Sequence, residues 1–208
     1  MLGCFINQSM RVYMKILNKL SDLPNIIVTK LKGLSNFGKP QTISETSKCR
    51  ESLSRFCIGD GLDIGYGGDP IVASAICMDM PLAYAKYINN PQHLHGDAKS
   101  LHWFRDNCLD FIYSSHVLED FLDTESVINE WLRVLKIDGM LVLYLPDEQT
   151  YRRHCQKNNK SPNIHHIHEN FSLDFIKTIL FKRNDVKIIH EKFPVGIYSF
   201  ELVVKKVV

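Results

Sequence analysis

The chain has 208 residues, 45% of them hydrophobic, 23% charged and 10% aromatic. That balance belongs to one globular domain with at most a short appendage, and it excludes disordered and coiled-coil chains. Its 25 Lys and Arg against 23 Asp and Glu leave a formal charge of +2, with the basic residues scattered rather than gathered in a stripe, so no nucleic-acid partner is expected. The six cysteines lie far apart without a C-x-x-C pair. They suit free thiols of a reducing, cytoplasmic setting better than a disulfide framework or a zinc ribbon.

No apolar run approaches the roughly 18 residues of a membrane helix, so no membrane partner is expected. Asn7, Gln8, Arg11 and Lys15 interrupt the apolar start, which reads as an amphipathic helix carrying Val12, Ile16 and Leu20 rather than as a signal peptide. Residues 1–55 are polar and helix-leaning, broken around Pro24, Gly33, Gly38 and Pro40. From about residue 58 short apolar runs alternate with helical segments. Strands are predicted at 62–64, 75–79, 93–95, 109–114 and 140–145, and helices at 83–88 and 123–136. The second helix can be capped by Asp123 or Thr124, repeats Val127, Ile128, Trp131, Leu132 and Leu135 at helical spacing, and reaches a left-handed stop at Gly139. Two last strands, 186–189 and 198–204, are separated by Pro194 and Gly196 and should pair antiparallel. Strands alternating with helices define an α/β fold on a parallel sheet.

The segment G-L-D-I-G-Y-G-G-D-P, Gly61 to Pro70, runs an apolar strand into Gly65, Gly67 and Gly68, with Asp63 just before. Glycines at a strand end let backbone amides approach a ligand that any Cβ would repel. Asp79 ends the next apolar run, where a carboxylate can accept a bond from each of two vicinal ribose hydroxyls. Asp97 follows the third strand, and the fourth ends in Ser114, Ser115 and His116. Polar groups at four successive strand ends point to a nucleoside-containing cofactor. A dinucleotide is disfavoured, because Pro70 stands where the third glycine of G-x-G-x-x-G would fall. Asp79 also comes 14 positions after Gly65 rather than the ~20 of that motif.

Three stretches resemble the class I S-adenosylmethionine-dependent methyltransferases of the type 11 group: D-I-G-Y-G-G, the run from G-D-A-K to S-S-H-V-L-E-D, and L-R-V-L-K-I-D-G-M-L-V-L-Y-L-P-D. The resemblance covers about residues 58–150, with a weaker extension to about 181. It implies a Rossmann-like sheet of seven strands, mostly parallel with an antiparallel C-terminal strand, and helices on both faces. Residues 1–55 would form a helical cap and 56–208 the methyltransferase domain. S-adenosylmethionine would meet Asp63, Gly65, Tyr66 and Gly67 on the glycine loop, Asp79 and Met80 at the ribose, Asp97 and Ala98 at the adenine, and Ser114 and Ser115 beneath the sulfonium. The chain departs from the family at Tyr66, at Asp69-Pro70, at Asp120 and at Ile137-Asp138, and the Asp69-Pro70 turn leaves little room for the first helix.

A hydroxyl acceptor benefits from a base that takes its proton, and His116 is placed for that task or, alternatively, to shape its loop. His165, His166 and His168 bunch with Glu169 after the fifth strand; His166 and His168 are the further catalytic candidates. No metal site is expected, since no H-x-x-x-H pattern or matched cysteine pair is present. Tyr151, Arg152 and Arg153 suit a small polar acceptor, and the insert is similar to that of bacterial methyltransferases of cell-envelope sugar pathways, which makes a sugar hydroxyl the expected target. The other reading is a cofactor-binding domain that serves as an interaction or regulatory protein.

Overall fold

The computed structural model describes residues 44–80 and 92–208, all within one compact unit. The helices predicted around Val12–Leu20 in sequence and at 83–88 lie outside the described residues. In chain order the elements are α1 (Glu45–Leu53), β1 (Gly61–Ile64), β2 (Ile76–Asp79), β3 (Leu94–His95), β4 (Leu109–Ser115), α2 (Thr124–Val134), β5 (Leu135–Pro146), α3 (Glu148–Lys157), α4 (Leu173–Leu180), β6 (Val186–Val195) and β7 (Ser199–Lys206).

The seven strands form one sheet in the order β3-β2-β1-β4-β5-β7-β6. β1 to β5 are parallel neighbours, and β7 runs antiparallel to both β5 and β6. This is the predicted mostly parallel sheet with its antiparallel last strand. Side chains alternate between the two faces of each strand, which sorts the core into two layers. Leu62, Ile64, Ile112, Leu141, Leu143, Leu202 and Val204 face α2 and α4. Phe111, Tyr113, Val142, Tyr144 and Val203 face the opposite way, where Cys49 and Leu53 of α1 cover them.

Each helix starts where a side chain caps it. Asp123 accepts a bond from the Ser126 amide at 3.0 Å, and Ser172 one from the Phe175 amide at 3.1 Å. The i, i+3, i+4 pattern of α2 puts Val127, Ile128, Trp131 and Leu132 on the buried side. At its far end the nearly buried Lys206 ammonium donates to the carbonyls of Leu132 and Leu135, both at 2.9 Å, serving as a tertiary C-terminal cap from β7. Here the structure corrects the expected stop. The left-handed residue is Asp138, at φ 68°, and Leu135 already pairs with Leu109 before residues 136–139 bulge and Met140 resumes opposite Phe111. Gly139 is required for a different reason, since a Cβ there would lie 2.8 Å from the Lys136 carbonyl oxygen.

Between β1 and β2 the chain forms turns and no helix, as the Asp69-Pro70 sequence implies. α1 holds that short connection in place. The Arg50 guanidinium reaches Asp69 at 2.6 Å and the Pro70 carbonyl at 3.0 Å, and Ser44 donates to the other Asp69 oxygen.

Candidate cofactor and acceptor site

The carboxyl ends of β1, β2 and β4 converge on the glycine turn. Gly65 and Gly67 both hold positive φ, 71° and 56°. Their uses differ. The Gly65 amide donates to the Met78 carbonyl at 2.8 Å, and a Cβ there would overlap the Val117 side chain at 2.2 Å. At Gly67 the nearest atom to such a Cβ would be 3.9 Å away, an ordinary contact, so Gly67 has room on that side.

Asp79 lies beside Gly67. Its half-buried carboxylate accepts the Met80 amide at 2.8 Å and the Gly67 amide at 3.2 Å. Burial raises its pKa, against the lowering effect of those two amides. Met80 is 59% exposed at the rim. Tyr66 is buried in the turn. Asp97 is exposed, accepts the Lys99 amide at 2.9 Å, and precedes the buried Ala98, whose carbonyl accepts the Trp131 indole N–H at 2.8 Å. Ser114 donates to the Ile64 carbonyl at 3.1 Å, tying β4 to β1. The Ser115 hydroxyl is buried with no hydrogen-bond partner among the described residues.

Asp63 is wholly enclosed. One carboxyl oxygen accepts the Ile71 amide at 2.7 Å, and the other has no partner among the described residues. Burial pushes this carboxyl up to about 8, with the Ile71 bond pulling the other way. The folded protein therefore keeps a proton here that the unfolded chain releases near pH 4. The group's contribution to stability falls as pH rises from there through about 8. Asp63→Asn, which cannot ionise, is expected to gain stability relative to the native chain between pH 5 and pH 9. Denaturant midpoints of both proteins at pH 5, 7 and 9 check this, and a difference that does not change with pH would refute it.

A second group of side chains gathers at the end of β4. His116 sits there at φ 53°, a left-handed value held by few residues other than glycine. Its Nε2 is 3.2 Å from the Ser199 hydroxyl and 3.5 Å from a Glu45 oxygen, and its Nδ1 is 3.6 Å from Oε1 of Glu119. Burial lowers its pKa to about 4, against Glu45, which raises it, with His166 and Lys48 lowering it further. The ring is neutral at physiological pH.

His166 comes to the same place from the loop after α3. Its Nε2 is 3.5 Å from the same Glu119 oxygen, and its Nδ1 is 2.7 Å from Oε2 of Glu148. Glu148 pairs through Oε1 with the Arg152 guanidinium at 2.6 Å, one turn along α3. Tyr151, His154 and Tyr198 pack beside them, with ring centroids 5.1 to 5.5 Å apart. His168 is elsewhere: its Nε2 lies 2.7 Å from the Phe121 carbonyl and its ring rests on Phe171 and Phe175, where it pins the loop to the start of α2. His165 is exposed.

Glu45, Glu119, Glu148, Tyr198 and Ser199 were not among the residues singled out in the sequence. Glu119 stands in the H-V-L-E-D run and Glu148 directly follows the fifth strand's L-P-D, yet neither position alone signals that they meet.

An open α/β sheet with a glycine turn after β1 and acids after β2 and β3 defines a nucleoside-cofactor domain. Residues 62–143 match a family model described as a methyltransferase domain, of the type 11 group, and this match supports the resemblance to class I S-adenosylmethionine-dependent methyltransferases drawn from the sequence. A protein of Pyrococcus horikoshii is similar in structure at 17% identity and a TM-score of 0.60, over 82% of this chain and 93% of that one. A methyltransferase of Thermotoga maritima, described as a possible histamine N-methyltransferase, is similar at 19% identity and 0.58, over 78% and 87%. An S-adenosylmethionine-dependent methyltransferase of Aquifex aeolicus gives 17% and 0.51, over 85% and 88%. At such identities the likeness is one of fold. No curated protein matches the chain.

S-adenosylmethionine is the cofactor that a methyltransferase domain implies, and the residues present fit it. Gly67 borders space that a side chain would fill, its amide donates to the Asp79 carboxylate, and the buried Ser115 hydroxyl lacks a partner among the described residues.

Proposed function

We propose that this domain transfers the methyl group of S-adenosylmethionine to a small hydroxyl-bearing acceptor, such as a sugar, with His116 receiving the acceptor's proton. When bound, the cofactor supplies a methyl group already activated on a sulfonium. The chain's own residues then have to align the acceptor, exclude water and hold the proton that the hydroxyl sheds.

The observation that carries this reading is the His116 ring itself. It is a neutral imidazole, held at a left-handed backbone position at the carboxyl end of β4, a conformation that costs of order 1–3 kcal/mol and marks functional sites. Tyr151, His154, Tyr198 and the exposed Arg152 and Arg153 offer rings and donors to a polar acceptor. Asp63, Gly65, Tyr66, Gly67, Asp79, Met80, Asp97, Ala98, Ser114 and Ser115 would surround the cofactor or support the residues that do, Gly67 and Asp79 most directly.

Calorimetric titration with S-adenosylmethionine, S-adenosylhomocysteine and NAD tests the cofactor half of the proposal. The first two should bind and NAD should not. Asp79→Ala should weaken the first two by about 1.5–3 kcal/mol, the worth of bonds to a charged acceptor; unchanged affinity would remove Asp79 from the ribose. Incubation with methyl-labelled cofactor and a panel of sugars and sugar nucleotides tests the acceptor half. Cofactor binding without turnover on any hydroxyl acceptor would favour a regulatory role instead.

A further inference from the structure

Glu119 is 1% exposed, and neither of its carboxyl oxygens has a hydrogen-bonding side chain among the described residues. An unpaired carboxyl so deeply buried is costly unless its surroundings give it a task. A single oxygen of it, Oε1, faces two imidazoles, at 3.6 Å from Nδ1 of His116 and 3.5 Å from Nε2 of His166. Those distances exceed a good hydrogen bond, as unliganded catalytic contacts often do.

The far side of His166 settles the direction of the chain. Its Nδ1 is 2.7 Å from the Glu148 carboxylate, which accepts and cannot donate. Nδ1 of His166 then carries a hydrogen, and in the neutral ring its Nε2 accepts one. The available donor is a protonated Glu119, and burial does raise the Glu119 carboxyl well above the usual carboxylate range, with Asp120, Glu148 and Glu45 adding to the rise and only its own amide opposing it. The same Oε1 can accept the hydrogen on Nδ1 of His116. That leaves the lone pair of His116 on Nε2, which faces the Ser199 hydroxyl at 3.2 Å.

We propose that His116, Glu119, His166 and Glu148 form a proton wire in which Glu119 is the positioning residue, fixing His116 as the Nδ1–H tautomer and passing its proton inward. The inference rests on His116 being the acceptor's base. The acceptor's O–H bond breaks and its proton joins Nε2 of His116. Nδ1 of His116 releases a proton to Glu119, Glu119 releases its own to Nε2 of His166, and Nδ1 of His166 releases one to Glu148. Each group gains one proton as it loses one, so the net change is a neutral Glu148. The oxygen's electron pair forms the new bond to the methyl carbon, while the carbon–sulfur pair stays on sulfur. Arg152, 43% exposed, links Glu148 to solvent. A histidine as hard to protonate as His116 is a poor final holder of a proton, and the wire gives that proton an exit.

The test compares Glu119→Gln and Glu119→Ala, because Gln keeps the shape and, with its amide oxygen in the place of Oε1, the bond from Nδ1 of His116, but cannot relay a proton. Nitrogen NMR of the histidine-labelled full chain, without cofactor, reads the tautomers between pH 5 and 9. The charged groups facing the two rings, and so entering those titrations, are Glu45 and Lys48 of α1, Asp120 and Glu148. Native protein should show hydrogen on Nδ1 of both His116 and His166; Glu119→Gln should keep this pattern and Glu119→Ala should lose it at His116. Hydrogen on Nε2 of His116 in native protein would overturn the wire whatever the activity. In turnover, Glu119→Gln should lower kcat about 10- to 100-fold, a part of the effect of a direct base, with acceptor KM and cofactor affinity unchanged. Native rate and pH profile in Glu119→Gln would overturn the relay while leaving His116 as base. If native protein methylates no hydroxyl acceptor, that reading fails, and the tautomers alone decide whether the wire exists.

Discussion

Replacing His116 by asparagine is expected to lower the kcat of methyl transfer by about 10²- to 10⁴-fold, the usual share of a positioned base, with little change in cofactor affinity. Asparagine suits the test because it tolerates the left-handed backbone that His116 adopts, so the turn should survive. The lost function is the Nε2 lone pair, which faces the Ser199 hydroxyl at 3.2 Å. The pH profile makes the claim sharper. Desolvation holds this imidazole down to about 4, against the pull of Glu45, so it is already a free base at pH 6. The acid limb of kcat/KM should therefore fall near pH 4 rather than near the 6.5 of an ordinary histidine. Folding stability carries the same sign. The unfolded chain binds this proton below about pH 6.5 and the folded protein does not until about pH 4, so the stability due to His116 is lost as pH falls through that window. Stopped assays with labelled cofactor from pH 4 to 9 check both proteins. An acid limb at 6.5, or an asparagine variant with native kcat, would mean that His116 only shapes its loop.

Trp131→Ala is expected to destabilise the domain by about 3–5 kcal/mol, the range for deleting a buried Trp or Phe, and to lower the melting temperature by roughly 6–20 °C. Trp131 is fully buried on α2 in the layer formed with Leu101, Ile112 and Ala98, and its indole N–H holds the Ala98 carbonyl at 2.8 Å. Trp131→Phe separates the two roles. It fills most of the volume but leaves that carbonyl unbonded, a loss of about 1–3 kcal/mol. Because Ala98 follows Asp97 after β3, where the proposed site would hold the adenine, the phenylalanine variant should also raise the dissociation constant for S-adenosylhomocysteine. Calorimetric melting with and without that ligand measures both. A phenylalanine variant as stable as the native protein, with native affinity, would mean the hydrogen bond contributes nothing to either.

Much of the sheet was legible locally. The runs at 62–64, 75–79, 109–114 and 140–145 are short, apolar and bounded by turn residues, and each coincides with a strand of the structure to within a few residues. Asp123 as the cap of α2, and the apolar stripe behind it, depend only on contacts three and four residues away. The end of that helix was misread because its stop is imposed from outside. Lys206 of β7 caps it and Leu135 is already engaged with Leu109, contacts 71 and 26 residues distant in the chain.

The sequence by itself determined the order of the strands' chemistry: glycines after β1, Asp79 after β2, Asp97 after β3, and Ser114, Ser115 and His116 after β4. Chemistry at strand ends is a local property, because a parallel sheet brings all its carboxyl ends to one edge. Tertiary structure alone decided what those ends do. In H-H-I-H the three histidines look alike, yet packing buries His166 against Glu119 and Glu148, turns His168 onto the Phe121 carbonyl, and leaves His165 exposed. No periodicity records that choice. It follows from where the loop crosses α3 and the turn after β4, and from the need of each buried polar group to find a partner once water is gone.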